Sequence, residues 1–334
     1  MEPRSGAVSD ESNQEAQPFR MDFVQEVVNL EEHEEEEGGT MTAIMKPNPE
    51  RYETIEDEND GIRGYLDTFE DIFIPMSKVR QMAEEMEGTP ITHSPSHIDD
   101  IEEYIGRRGP AMKKLFDGEF EDHDFTDASE DFLEELIEEN SRDFVILFID
   151  IAGSTNLNQQ LGDQAYARII RLFHREMALL VSQFNGHILK FLGDGLAAYF
   201  PAESYNGRHD NSIDCALCMK YMVLGGLNPI LKSENLPEIQ FRIGMDSGEA
   251  EIIPVGAGGF KQEVDLIGET INLASKIESQ AETNGIYLGA DTERGLHTNW
   301  RKHTEEVENL EDWDYQKGDA GEYKLYRYVG MASG

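Results

Sequence analysis

The sequence predicts an α+β fold preceded by a poorly structured, acidic N-terminal region. Three observations predict it. A continuous apolar run, FVILFIDIAGST from residue 144, reads as a strand buried on both faces. Strand and helix periodicities then alternate as far as residue 329. The charge is also uneven: the net −40 divides into −29 over residues 1–143 and −11 over residues 144–334. Such acidity excludes a surface that grips nucleic acid phosphates by bulk electrostatics.

Residues 1–60 carry 18 acidic side chains and an acid run at 31–37 broken only by His33. That composition buries too little apolar surface to offset the entropy of ordering, so the stretch is expected to be a disordered acidic tail. Its first residues, MEPRSGAVSDESNQ, lack the apolar core of a signal peptide. No apolar run approaches the ~18–20 residues of a membrane span. The expectation is a cytoplasmic protein with no membrane partner. Residues 61–142 read as a helical region of unassigned role, with helices over 77–87, 98–116 and 129–140. Tyr65, Leu66, Phe69, Ile72 and Phe73 form an apolar patch suited to docking. The acid-rich 122–127 lacks the glycine and closing glutamate of an EF-hand, and reads as a solvated turn.

The domain at 143–329 follows. After the first strand, Leu157, Leu161, Ile169, Leu172, Phe173, Met177, Leu180 and Phe184 recur at helical spacing. HILKFL and LAAYF flank Gly193-Asp194-Gly195, a strand–turn–strand signal. A helix over about 209–225 holds the only two cysteines, Cys215 and Cys218. With no second CxxC and no suitably spaced histidine, they read as small core residues. A strand from Glu238, a glycine-rich turn at 256–259, the strand EVDLI, the helix GETINLASKIES and the strands IYLG and EYKLYRYV complete the domain. The pattern is a sheet with helices mainly on one side.

Asp150 stands where the first strand ends, and Asp194 stands in the hairpin turn. If those strands are neighbours, the two carboxylates meet at one sheet edge, where they repel unless a divalent cation lies between them. Oxygen ligands favour Mg²⁺ or Mn²⁺. The loop Gly153-Ser154-Thr155 joins strand to helix, so its N–H groups face the same place and suit an anionic oxygen. No Walker P-loop is present. The glycines at 256–259 precede a strand, so they read as a hairpin tip and not as a dinucleotide fingerprint.

FIDIAGST, HILKFLGDG and EVDLIGETINLASKIES, in this order and at these spacings, resemble the catalytic domain of class III nucleotidyl cyclases over about residues 143–329. The resemblance implies a ferredoxin-like α+β domain. It implies that a nucleoside triphosphate is converted to a 3′,5′-cyclic nucleotide and pyrophosphate. Two divalent cations, Mg²⁺ or Mn²⁺, would be held by Asp150, Asp194 and the Ile151 carbonyl. Lys190 and Asp265 match the pair that reads the base, and Asn272 the asparagine that orients the ribose. Lys317 is a looser match to a lysine on the triphosphate. Where the family usually has an arginine one turn after Asn272, this chain has Lys276, which keeps the charge but loses the planar fork of donors. The family's domains pair head to tail with the sites across the interface. One chain carries every matching residue, so a homodimer is expected.

Lys190 and Asp265 present a donor and an acceptor that fit the ring nitrogen and amine of adenine, and in the family this pair marks adenylate cyclases. ATP is therefore the favoured substrate. Cytosine offers a similar edge, and compact bacterial relatives make cyclic UMP or cyclic CMP in anti-phage defence, so a pyrimidine cyclase is the alternative. A non-catalytic nucleotide-binding regulatory module is the third reading. The downstream receptor is not legible.

Overall fold

The computed structural model describes residues 21–32, 39–56, 61–86, 98–119, 141–201, 205–256, 262–308, 310, 313–317 and 321–330. The chain forms two compact units, Met1–Pro90 and Ile91–Gly334. Among the described residues, no helix is long and apolar enough to cross a membrane.

In the first unit, β1 (Phe23–Glu32) and β2 (Gly39–Pro47) form an antiparallel hairpin. A second sheet is built from β3 (Tyr52–Glu56), β4 (Ile62–Asp67) and β5 (Ile72–Pro75), followed by α1 (Met76–Met86). Met21, Tyr52 and Ile74 are its buried core. The Arg51 guanidinium grips the buried Asp67 with three hydrogen bonds of 2.8–3.2 Å. Asp67 also accepts the Phe69 and Glu70 N–H groups, which fixes the turn into β5. Strands β1, β2 and β3 stand within the stretch expected as a tail through residue 60, and β4 and β5 open the region expected to be helical from residue 61, whose first expected helix, 77–87, appears as α1. Residues 1–20 lie outside the described residues. In β3, Tyr52 is buried while Glu53, Thr54 and Glu56 face solvent, so a strand carries its acids on the open face. An acid count cannot distinguish that from a chain without structure. Phe69, Ile72 and Phe73 of the predicted apolar patch are exposed.

The second unit opens with α2 (Ile101–Phe116), where the Asp100 side chain accepts the Glu102 and Glu103 N–H groups and caps the first turn. The expected helix at 129–140 lies outside the described residues. A sheet then forms in the spatial order β12, β13, β11, β9, β6, β8, β7, with β10 also paired to β9. Its strands are β6 (Ser141–Ile151), β7 (His187–Leu192), β8 (Gly195–Phe200), β9 (Phe241–Gly256), β10 (Gln262–Ile267), β11 (Ile286–Gly289), β12 (Thr304–Glu306) and β13 (Leu325–Tyr328). All pairings are antiparallel except β11 with β9. This is the expected α+β architecture, and β9 and β10 flank the glycine-rich segment as a hairpin.

The central strand β6 is buried on both faces. Val145, Leu147, Ile149 and Ile151 join one large core with α2, α4 (Asp163–Gln183), α5 (Tyr205–Tyr221) and the π-helical turn Met222–Leu227. Phe144 and Ile146 pack on the other face with Tyr199, Leu266 and Ala274 of α7 (Glu269–Gln280). Between β6 and α4 lies α3 (Ser154–Leu161), and α6 (Asn228–Ser233) follows the π turn. Cys215 and Cys218 are buried free thiols of α5, and burial pushes the Cys218 thiol up to about 12.

The sequence groups residues 61–142 together, but α2 belongs to the second unit. Its Met112, Leu115 and Phe116 are buried in the large core. Arg108 forms a two-point pair, 2.7 and 3.0 Å, with the fully buried Glu176 of α4. The helix packs over Gly225 and Gly226: a Cβ on Gly226 would stand in ordinary contact with Ile105 at 3.5 Å and Met112 at 3.6 Å, and would crowd Met222 Sδ at 2.7 Å.

Candidate active site

The strand order makes β6 and the β7–β8 hairpin neighbours, so Asp150 and Asp194 reach the same sheet edge. Glycine is needed on both sides of Asp194. Gly193 has φ 68°, in the left-handed region. A Cβ on Gly195 would lie 2.5 Å from the Ile149 carbonyl oxygen and 2.9 Å from Asp150 Cβ. The turn is thus pressed against the end of β6. Both carboxylates act on Tyr166 of α4, whose phenol is raised first by burial, then by Asp194 and, more weakly, by Asp150.

Sequence reasoning missed two residues here. Arg242 of β9 lies opposite Asp150 in the strand register, and its terminal nitrogen is 3.1 and 3.4 Å from the Asp150 oxygens. Glu278 of α7 is 3.0 Å from the same guanidinium. Burial, then the Asp150 carboxylate, raises the Glu278 carboxyl, while Arg242 acts in the opposite sense. The signal in the sequence was Arg242, the one basic residue of β9, whose partner becomes visible only with the β6–β9 register.

Among the described residues, no group of three histidine, cysteine or acidic side chains converges as a ready-made metal cage. The donor set at the edge is nonetheless suited to hard divalent cations: two carboxylates, with the Ile151 carbonyl at the strand end. Beside them, Gly153 starts α3 at φ 72° without a side-chain cap. The Ser154 and Thr155 N–H groups belong to the first helical turn, where no intrahelical acceptor exists.

Lys190 and Asp265, 75 positions apart, form an ion pair of 2.8 Å. The register of β7 shifts between Ile188 and Lys190, and such a bulge re-aims the side chain that follows. Asp265 also accepts the Leu266 N–H through its other oxygen. Asn272 and Lys276 are exposed one turn apart on α7, and the Lys276 ammonium lies 5.2 Å from the Tyr315 ring centroid. The Tyr315 hydroxyl donates to Glu269 at the start of the same helix.

Lys317 is held 2.6 Å from Asp291 and 3.9 Å from the buried Asp246. Burial pushes the Asp246 carboxyl up to about 7 against the pull of Lys317 and of the Tyr323 hydroxyl, which donates to it at 2.7 Å. A Cβ on Gly248 would lie 2.7 Å from Thr270 Oγ1 and 3.8 Å from Lys317 Nζ, so the ammonium sits near the start of α7. The structure therefore makes the Lys190–Asp265 pair, brings Asp150 and Asp194 to one edge, and places Lys317 near the helix of Asn272 and Lys276.

Comparison with known proteins follows the same segment. A cytidylate cyclase of Staphylococcus aureus is 26% identical over 175 residues, covering 51% of this chain and 41% of that protein. A uridylate cyclase of Rhodovulum sp. is 25% identical over 186 residues, covering 52% and 75%. An adenylate cyclase of Anabaena cylindrica is 26% identical over 158 residues, covering 45% and 29%. The chain thus spans less than half of two of these three relatives. The crystal structure of the adenylyl cyclase CyaB from P. aeruginosa shares the fold, with a TM-score of 0.50 at 20% identity, over 57% of this chain and 95% of that one. The guanylyl cyclase Cya2 does so with a TM-score of 0.50 at 19% identity, over 58% and 94%. The family model of the adenylate and guanylate cyclase catalytic domain matches residues 137–327, more than half of the chain, and the chain belongs to that family.

Proposed function

We propose that the chain is a nucleotidyl cyclase that converts a nucleoside triphosphate, ATP by preference, to a 3′,5′-cyclic nucleotide and pyrophosphate. The observation that carries this reading is the meeting of Asp150 and Asp194 at one sheet edge, in a chain that also pairs Lys190 with Asp265 for a base. Asp150, Asp194 and the Ile151 carbonyl would hold two divalent cations, Mg²⁺ or Mn²⁺. When bound, these lower the pKa of the ribose 3′-hydroxyl and neutralise phosphate charge.

The chain's own residues supply position and charge. The N–H groups of Ser154 and Thr155, after Gly153, receive phosphate oxygens. Lys190 donates to a ring nitrogen of the base, and Asp265 accepts from its exocyclic amine. Asn272 orients the ribose, and Lys276 bears on the phosphoryl charge that develops in the transition state. Lys317 serves the triphosphate, and to do so it must loosen its contacts with Asp291 and Asp246. In a homodimer the exposed face of α7 would offer Asn272 and Lys276 to the neighbouring protomer's carboxylates, giving two sites per pair.

A second reading is favoured by the relatives named as cytidylate and uridylate cyclases. Cytosine presents the same pairing of ring acceptor and amine, so the chain would make a cyclic pyrimidine nucleotide as an anti-phage defence signal. The test is purified protein with Mn²⁺ and each of ATP, GTP, CTP and UTP in turn, with products identified by mass spectrometry. Cyclic AMP is expected, and cyclic CMP or cyclic UMP instead establishes the second reading. Bound nucleotide without any cyclic product refutes both and leaves a regulatory nucleotide-binding module. Light scattering with and without nucleotide tests the pairing, which a monomeric active enzyme refutes.

A further inference from the structure

We propose that Asp246 and Asp291 are positioning residues that hold Lys317 in a waiting position, and that Asp246 takes up a proton when a triphosphate draws Lys317 away. The proposal rests on the triphosphate role read above for Lys317 and adds to it the two carboxylates that the ammonium must leave. Lys317 Nζ lies 2.6 Å from Asp291 and 3.9 Å from Asp246. The two acids differ in kind. Asp291 stands in the short helix Ala290–Gly295, is 20% exposed, and also takes the Arg294 guanidinium at 3.2 Å. Asp246, on β9, is fully buried, and among the described residues Lys317 is its one ion-pair partner.

Asp246 cannot follow the ammonium outward. Its Oδ1 accepts the Tyr323 hydroxyl at 2.7 Å, and that hydroxyl accepts the Asp291 N–H at 2.9 Å. A Cβ on Gly289 would lie 2.1 Å from the same Oδ1, so the carboxylate is pressed against the end of β11. Its Oδ2 makes no hydrogen bond although it is buried, and it faces the ammonium across a gap too long for one. Lys317, by contrast, is 28% exposed and carries its charge on a flexible four-carbon stem. Of these three charges, the ammonium is the one built to move.

A bound triphosphate offers Lys317 several anionic oxygens in place of one close carboxylate contact. Once the ammonium leaves, an ionised Asp246 is a buried charge without a counterion, a costly state that a proton from solvent ends. With Lys317 in place, burial already pushes the Asp246 carboxyl up to about 7, and loss of the cation moves it further the same way. The other groups that face Asp246 stay where they are: the Asp291 carboxylate raises it, and the Tyr323 hydroxyl lowers it. Glu269, at the start of α7, acts on Lys317 and favours its charge. The exchange is reversible. When pyrophosphate departs, Asp246 releases its proton and the ammonium returns.

The test is calorimetric binding of inorganic tripolyphosphate with Mg²⁺ to the full chain at about pH 8, in buffers of different ionisation enthalpy, which counts the protons taken up. Thermal melts verify that each variant folds. The unsubstituted chain should take up close to one proton more than Asp246→Asn, because asparagine has no charge to neutralise. Equal uptake overturns the exchange. Asp291→Asn loosens the waiting position, so tripolyphosphate should bind about threefold more tightly, and unchanged or weaker binding overturns the hold. Lys317→Met separates the two levels. It should weaken binding and abolish the extra uptake, since Asp246 is then protonated before the ligand arrives. If it binds tripolyphosphate undiminished, or if the unsubstituted chain binds none, the triphosphate role of Lys317 is wrong and the exchange falls with it. If it weakens binding while Asp246→Asn keeps the full uptake, only the exchange fails.

Discussion

Replacing Arg108 with methionine should destabilise the second unit by about 3–5 kcal/mol, the usual consequence of stranding one partner of a buried ion pair. The Glu176 side chain is fully buried, and Arg108 gives it two bonds of 2.7 and 3.0 Å. Methionine keeps much of the arginine stem's apolar contact, so the loss reports mainly on the unpaired carboxylate. Both tryptophans of the chain, Trp300 and Trp313, belong to the second unit. Their fluorescence in urea therefore reports that unit alone. With a urea slope of about 3 kcal/mol/M, the midpoint should fall by roughly 1–1.7 M. Arg108→Met combined with Glu176→Met should recover most of the loss, since no charge is then left buried. A single-variant loss below about 1 kcal/mol, the value of an exposed pair, would refute the claim that α2 is built into the core.

Other predictions bear on the site and on pH. Lys190→Glu with Asp265→Cys should move substrate preference toward GTP, measured as the ratio of kcat/KM for GTP and ATP; an unchanged ratio removes the pair from base reading. Lys276→Arg should raise turnover by up to about tenfold by restoring a planar fork of donors, whereas Lys276→Ala should lower it by a similar factor. An unaffected alanine variant takes Lys276 out of the mechanism. Asp214, whose oxygen accepts the Trp300 indole N–H at 2.8 Å, is pushed by burial up to about 6. The native state therefore holds this proton more tightly than the unfolded chain, and a penalty grows as pH rises from about 4 through about 6, reaching at most about 3 kcal/mol. Asp214→Asn should melt together with the unsubstituted protein at pH 4 and above it at pH 7. Equal melting temperatures at both would contradict the shift.

The second unit was legible because its strands are long and apolar and its turns are marked by glycine. The run ending at Asp150 and the Gly193-Asp194-Gly195 hairpin each specify local geometry through residue chemistry alone. The first unit was hidden because short strands such as β3 alternate acids with one buried tyrosine, which resembles a solvated chain in composition. Helix α2 was found, but its membership in the core was not, since no periodicity says which core an amphipathic face will join. Arg242 and Glu278 were missed for a related reason. They act through a register, Asp150 opposite Arg242, and through a helix crossing at Gly244, neither of which a single segment encodes. Lys190 and Asp265 entered by resemblance, and the bulge that directs Lys190 is likewise a property of paired strands.

The closed Lys190–Asp265 pair has a consequence for how a base would be chosen. A nucleotide would not enter a vacancy; it would enter an exchange, replacing a contact that already exists. In open water the half-exposed pair is worth little, but a base lying over it removes the water. A base with both a matching acceptor and a matching donor then trades one pair of contacts for two. A base with only one leaves a lysine or an aspartate stranded in a site that has just become dry. Discrimination would thus come less from attraction to the right base than from what the wrong one leaves behind.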